Sequence, residues 1–125
     1  MNPKTKFFEL AKAVSKKSIH PMHKLGSVLV RKNRVISIGF NKPQTHSKSP
    51  DPFKYLHAEI HCILGVPSKE LKGSIIYVYR EKKNNGGPGL SKPCPYCAQV
   101  IKESGIKGVY YSTNEVPYWK YEKVS

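Results

Sequence analysis

The chain is 125 residues long, which is enough for one domain with a modest core and too short for two. It contains 22 lysines and arginines against 8 acidic residues, and this formal net charge of +14 attracts anionic substrates or partners. No run of about 18 apolar residues occurs, so we expect no transmembrane helix. The amphipathic N-terminus lacks the continuous apolar core that is typical of a signal peptide. We therefore expect a cytoplasmic protein with one domain over residues 1–125 and no membrane association.

Apolar periodicity and turn-forming residues predict elements in the order α-β-β-α-β-α-β. Residues 113–125 are rich in aromatic side chains and receive no assignment. Glycine, proline, serine and asparagine predict loops over residues 41–53 and 81–92. The predicted helices cover residues 5–17, 56–64 and 95–104, and the predicted strands cover residues 27–30, 35–40, 74–79 and 107–112.

The order of these elements predicts an α/β fold. The first two strands are close in sequence and are expected to form an antiparallel hairpin. Strands that are joined through a helix run parallel, so the later strands are expected to extend the hairpin into a mixed sheet. Helices then cover the faces of that sheet.

Two short motifs contain the residues with the clearest chemistry. His57-Ala58-Glu59 begins the second predicted helix, and Cys94 and Cys97 lie at the start of the third. One imidazole and two thiolates suit zinc, and three protein ligands leave a tetrahedral position for water, as in catalytic zinc sites. Glu59 need not be a ligand, and it could move protons between that water and a substrate. The motifs together predict zinc-dependent hydrolytic chemistry, with Glu59 as the catalytic residue.

The position of the two cysteines favours thiolates. Residues three apart in the first turn of a helix project to one side, and the helix dipole and unpaired backbone N–H groups favour a thiolate there. A redox-active Cys-x-x-Cys pair is the alternative, but such a pair usually lies early in a domain, after the first strand. Here the pair lies late in the chain and a His-x-Glu stands upstream, which favours zinc.

His61 and Cys62 leave a structural zinc site as an alternative. Either side chain could be a fourth ligand and close the site. His61 follows His57 with the spacing of two-histidine zinc helices, but those motifs place the glutamate directly after the first histidine. Cys62 is more typical of a small buried apolar residue. We favour a catalytic zinc and keep a nucleic-acid-binding module with a structural zinc as the alternative.

Taken together, the two motifs resemble those of the cytidine deaminase-like superfamily. The resemblance covers most of the chain, because Gly-Ser-Val-Leu-Val, Val-Ile-Ser-Ile-Gly-Phe-Asn, the His-Ala-Glu helix and the Pro-Cys helix come in the order of that family. It implies a three-layer α/β/α fold with a mixed central sheet that combines a β hairpin and parallel strands. It also implies a Zn²⁺ cofactor held by His57, Cys94 and Cys97.

The same resemblance implies roles for the other site residues. Glu59 would take a proton from the zinc-activated water and deliver it to the ring nitrogen and to the amine that leaves as ammonia. Ala58 would meet the carbonyl of the base through its backbone N–H, and Asn41 would contact the sugar and the base. Residues 81–92 depart from many relatives, in which this connection is shorter.

A deoxycytidylate-type nucleotide is the favoured substrate, and single-stranded DNA or tRNA is the alternative. The charge of +14 favours a polynucleotide, which needs a basic groove with stacking aromatic side chains. Against it, the chain lacks the Pro-Cys-x-Met-Cys pattern of tRNA-adenosine relatives and the Ser-Trp-Ser that precedes Pro-Cys in many polynucleotide relatives. Relatives often form homo-oligomers, and no feature of this sequence specifies the number of subunits. Basic residues that could contact a phosphate are Lys24, Arg34, Lys42 and Lys92, together with His20, His23 and His46, which are expected on the surface or in loops.

Overall fold

A computed structural model describes residues 3–20, 23–42, 56–83 and 87–124 of the chain. The elements are α1 (Thr5–Ser15), β1 (Lys24–Arg31), β2 (Arg34–Phe40), α2 (Ala58–Ile63), α3 (Ser68–Leu71), β3 (Ile75–Glu81), β4 (Pro88–Gly89), α4 (Pro95–Glu103), β5 (Gly108–Ser112) and β6 (Trp119–Lys123). The strands form a mixed six-stranded sheet in the order β2-β1-β3-β5-β6, and β4 pairs with β3 beside this path. β3 and β5 run parallel, and the other pairs are antiparallel.

Helix α1 covers one face of the sheet. Its buried side chains Phe7 and Ala11 belong to an apolar cluster that includes Tyr77 of β3. The helix lies directly on β1 because Gly26 has no side chain, and a Cβ there would overlap the backbone of Ala11 and Ser15. This close approach positions the first helical layer.

Helices α2 and α4 cover the opposite face. The core on this side joins Cys62 of α2 and Ile101 of α4 to Val78 of β3. Helix α2 lies on the backbone of β2 at Gly39, where a Cβ would be 2.5 Å from both the Ala58 carbonyl oxygen and the Cys62 nitrogen. The chain therefore has three layers, and α2, which carries part of the first motif, is held by contact with the backbone of the sheet.

The predicted hairpin, mixed sheet and α/β/α layers are confirmed. β1 and β2 form the antiparallel hairpin, and α4 is the crossover between the parallel strands β3 and β5. The predicted bounds differ at some ends. Helix α1 ends at Ser15, before residue 17, and β1 begins at Lys24, before residue 27, because pairing with Glu81 of β3 already starts there.

Three short elements are absent from the sequence-based prediction: α3, β4 and β6. Helix α3 is a single turn after Pro67 and is too short to show a helical period. The predicted loop over residues 81–92 is partly wrong, because β3 extends to Glu81 and β4 pairs with its end. Beyond Lys42, the predicted loop over residues 41–53 lies outside the described residues, as does His46. Within the residues described, every helix is too short or too polar to span a lipid bilayer.

Candidate active site

The two motifs meet where helices α2 and α4 begin. His57 occupies the N-cap position of α2, and Cys94 occupies that of α4. Pro95 is the first residue of α4, where its missing N–H removes no helical hydrogen bond. The backbone N–H of Cys97 points at Cys94 Sγ over 3.5 Å, so the first turn of α4 brings both sulfurs together as expected.

The three predicted zinc ligands form one cluster. His57 Nδ1 lies 3.9 Å from Cys94 Sγ and 3.2 Å from Cys97 Sγ, and all three donor atoms are within 4.8 Å of one another. Zn–N and Zn–S bonds of ordinary length at a tetrahedral angle separate nitrogen and sulfur by about 3.6 Å, and the two measured distances bracket this value. The donor types and their spacing therefore fit Zn²⁺.

His61 and Cys62 point away from this cluster. His61 Nδ1 lies 3.0 Å from the backbone nitrogen of Phe40 and accepts its N–H. Cys62 is completely buried in the core, and burial raises the pKa of its thiol to about 11. Among the described residues, the candidate metal cluster contains His57, Cys94 and Cys97 and neither of these side chains. With respect to the described side chains, a tetrahedral ion in this cluster would thus keep one position open.

Glu59 lies two residues after His57 and is 4% exposed. Burial raises the pKa of its carboxyl group to about 7, against a smaller opposing effect of a backbone hydrogen bond. A bound cation would lower it again, because positive charge favours the carboxylate. Burial also raises the pKa of the Cys97 thiol, with smaller contributions from Glu59 and Cys94. Metal binding therefore has to displace a proton from Cys97.

A cavity of about 310 Å³ opens beside this cluster. Its wall includes both residues predicted to contact the substrate, Asn41 and Ala58. The Asn41 carboxamide accepts the N–H of Leu25 at 3.0 Å and donates to the carbonyl of His23 at 2.7 Å, so it also fixes the segment before β1. Ala58 is held by the Ser27 hydroxyl, which donates to its carbonyl oxygen at 2.8 Å.

Basic residues form another part of the cavity wall, and their identity differs in part from the prediction. Lys92, His20 and His23 are present as anticipated, and Arg80 is an additional residue that the sequence-based prediction missed. Arg34 lies beside Arg31 at the far end of the hairpin and lines a separate cleft. Lys24 lines a neighbouring basic cleft, and Lys42 is absent from the described lining of the cavity. The available signal for Arg80 was its position directly after the predicted strand over residues 74–79, which precedes a motif helix.

A family comparison agrees with this geometry. Residues 1–113 match the model of the cytidine and deoxycytidylate deaminase zinc-binding region. The chain belongs to this deaminase family. Zn²⁺ is the metal of the family's binding region, and in this member the cluster of His57, Cys94 and Cys97 is positioned to bind it.

Individual relatives support the same assignment. The chain is 34% identical over 113 residues to an uncharacterized deaminase in the luxG 3′ region of Aliivibrio fischeri, covering 84% of this chain and 69% of that protein. It is 29% identical over 122 residues to a probable deoxycytidylate deaminase of Caenorhabditis elegans, covering 87% of this chain but only 56% of that protein. In fold it resembles the apo dCMP deaminase of the cyanophage S-TIM5, with a TM-score of 0.65 and 24% identity over 90% of this chain and 86% of that one.

Proposed function

We propose that this family member hydrolyses the exocyclic amine of cytosine in a deoxycytidylate-type nucleotide and releases ammonia. The observation that carries the proposal is the group of three candidate zinc ligands, which lies beside buried Glu59 and next to a cavity whose wall is otherwise rich in basic residues. Relatives named as deoxycytidylate deaminases support the choice of base and phosphate.

The proposed reaction replaces an amine by an oxygen at one ring carbon. Bound zinc would supply the Lewis acidity that makes water nucleophilic at neutral pH. Glu59 accepts a proton from the water as the water oxygen bonds to the ring carbon, and it delivers this proton to the ring nitrogen. Glu59 then moves the remaining proton of that oxygen to the amine, the bond between the ring carbon and the amine breaks, and ammonia leaves. Its burial suits this work, because the surrounding protein excludes competing water from the carboxyl group.

Two residues are proposed to orient the base and sugar. Ala58 is the first residue of α2, where backbone N–H groups have no partner within the helix, so its N–H can donate to the carbonyl of the base. The Asn41 side chain makes two hydrogen bonds to described residues, and its second amide N–H is proposed to donate to the substrate.

A polynucleotide substrate is the second candidate. A basic cleft adjoins the cavity at His20, which lines both, and contains Lys16, Lys24, Lys82 and Lys83. Phosphates on either side of a target base could lie along such a surface. This cleft also contains Glu81, which pairs with Lys16 at 3.0 Å and so reduces the net positive charge of the cleft.

Ammonia release from a substrate panel distinguishes these functions. Zinc-loaded protein is assayed with dCMP, CMP, dCTP, cytidine, adenosine, single-stranded DNA and tRNA, with Glu59→Gln as the blank. We expect turnover of a cytosine mononucleotide with weak salt dependence. Turnover of polymers alone, with affinity that falls steeply as salt rises, would favour the polynucleotide enzyme. Silence of zinc-loaded protein towards the whole panel would reject both enzymes and favour a binding module with structural zinc.

A further inference from the structure

Arg80 lies on the face of the sheet that faces the candidate zinc ligands His57, Cys94 and Cys97. Side chains alternate along β3, and Ile76 and Val78 belong to the core beneath α2 and α4. Arg80 is next on this face, at the carboxyl end of the strand, and lines the same cavity as His57 and Glu59. Its neighbour Glu81 lies on the opposite face and pairs with Lys16.

The guanidinium group of Arg80 has an unsatisfied donor. Its Nε atom is buried and has no hydrogen-bond partner among the described residues, and no ion pair identified within them involves Arg80. A buried donor without an acceptor is costly, so such an atom in a cavity wall calls for an explanation. A guanidinium presents its donors in a planar fork that matches the oxygens of a phosphate.

Neighbouring contacts hold Arg80 in position. The buried Ser112 hydroxyl accepts the backbone N–H of Arg80 at 3.0 Å and donates to the carbonyl of Gly89 at 2.6 Å. Strand β4 consequently lies against the arginine stem, and a Cβ at Gly89 would come within 3.4 Å of Arg80 Cδ. Ser91 binds both Ser112 and the Val78 carbonyl, which fixes the following segment over the cavity. A side chain held in this way is preorganised for a ligand.

The surroundings of Arg80 suit an anion. His20, His23 and Lys92 line the same cavity, and Glu59 is the one acidic residue in its described wall. Lys92 also contacts Glu122 at 3.4 Å, but both side chains are exposed and solvent weakens that pair. The pKa of His23 is lowered by burial, by Arg80 and by His20, which reflects positive potential in this part of the cavity.

We propose that Arg80, with His23 and Lys92 beside it, binds the phosphate of the nucleotide and makes the enzyme select nucleotides over nucleosides. The inference rests on the proposed function, because it names the group that recognises one part of that substrate. It assigns selectivity to the carboxyl end of β3, where Arg80 lies beside strand β4. The lysines and Arg34 that the sequence suggested are not needed for it, apart from Lys92.

Kinetics with dCMP and deoxycytidine test the proposal in wild type, Arg80→Gln and Arg80→Lys. We expect wild type to prefer dCMP and Arg80→Gln to lower the ratio of the two kcat/KM values by about 10- to 100-fold, the worth of a charged hydrogen bond. Arg80→Lys should keep part of the ratio, since charge remains and the fork is lost. Arg34→Gln removes the same charge far from the cavity and should leave the ratio at its wild-type value.

Equal loss of both activities in the Arg80 variants, or a wild-type ratio near one, would overturn the proposal and leave the deaminase intact. If wild type turns over neither compound, the proposed function fails, and phosphate binding is still measured directly. Titration with inorganic phosphate, followed by NMR of the His23 ring, should then shift that signal in wild type and much less in Arg80→Gln. A signal that does not respond in wild type would overturn the phosphate site itself.

Discussion

Replacement of Gly39 by alanine tests whether contact between α2 and β2 holds the proposed catalytic residue Glu59 and the candidate ligand His57. The added Cβ would lie 2.5 Å from the Ala58 oxygen and the Cys62 nitrogen, and ordinary contact begins near 3.4 Å, so α2 has to move by about 0.9 Å. Overpacking of this kind costs about 1–3 kcal/mol of stability. A displacement of about 1 Å at a catalytic group lowers the rate by about 100-fold. We expect both losses, the first in urea unfolding and the second in kcat/KM of the folded variant.

Gly26→Ala is the matched control for this experiment. Its Cβ would overlap the backbone of Ala11 and Ser15, so the stability should fall by a similar amount. Helix α1 supplies none of the described lining of the cavity, and the folded control should therefore keep its kcat/KM close to that of wild type. A Gly39→Ala protein as stable and as active as wild type would show that this contact does not position α2. Equal losses of activity in the two variants would lead to the same conclusion.

Further predictions concern the metal cluster and the cavity. Cys97→Ser should lower the zinc affinity by more than the roughly 10–100-fold that loss of an outer hydrogen-bond partner causes. Mass spectrometry should therefore find less zinc in Cys97→Ser than in wild type, whereas Cys62→Ala should retain its zinc. A chelator should lower the thermal unfolding midpoint of wild type, because the ion binds the folded chain more tightly than the unfolded one; an unchanged midpoint after complete zinc removal would contradict this. The pKa of His23 lies below its ordinary value of 6.5, so the neutral ring is favoured in the folded state and its contribution to stability is lost as the pH falls below 6.5. Its NMR titration midpoint should rise in Arg80→Gln, which removes a positive neighbour, and a wild-type midpoint at or above 6.5 would disprove the effect of burial and positive charge on this ring.

Features encoded by neighbouring residues were predictable from the sequence. The spacing of Cys94 and Cys97 places both sulfurs in one helical turn wherever that helix lies in the fold, and Pro95 marks its start. The hairpin and the crossover through α4 follow equally from local patterns and short connections. These features account for the layers of the fold and for the candidate metal ligands.

Features that depend on distant contacts were not predictable. Strand β4 has two residues, and a hydrogen bond from Ser112 of β5, which is distant in sequence, holds it in place. Arg34 and Arg80 carry the same charge, and only strand register puts one at a distant turn and the other in the cavity. Local charge therefore identifies candidates for phosphate binding, and the sheet decides among them.

Proton transfer by Glu59 is the step on which the proposed zinc-dependent deamination of a cytosine nucleotide depends. It is tested by ammonia release from dCMP by zinc-loaded wild type and Glu59→Gln, with the zinc content measured in the same samples. We expect the variant to keep its zinc and its kcat to fall by at least about 100- to 10,000-fold, the usual contribution of a positioned acid or base. A Glu59→Gln protein that keeps its zinc and releases ammonia at the wild-type rate would contradict this role of Glu59.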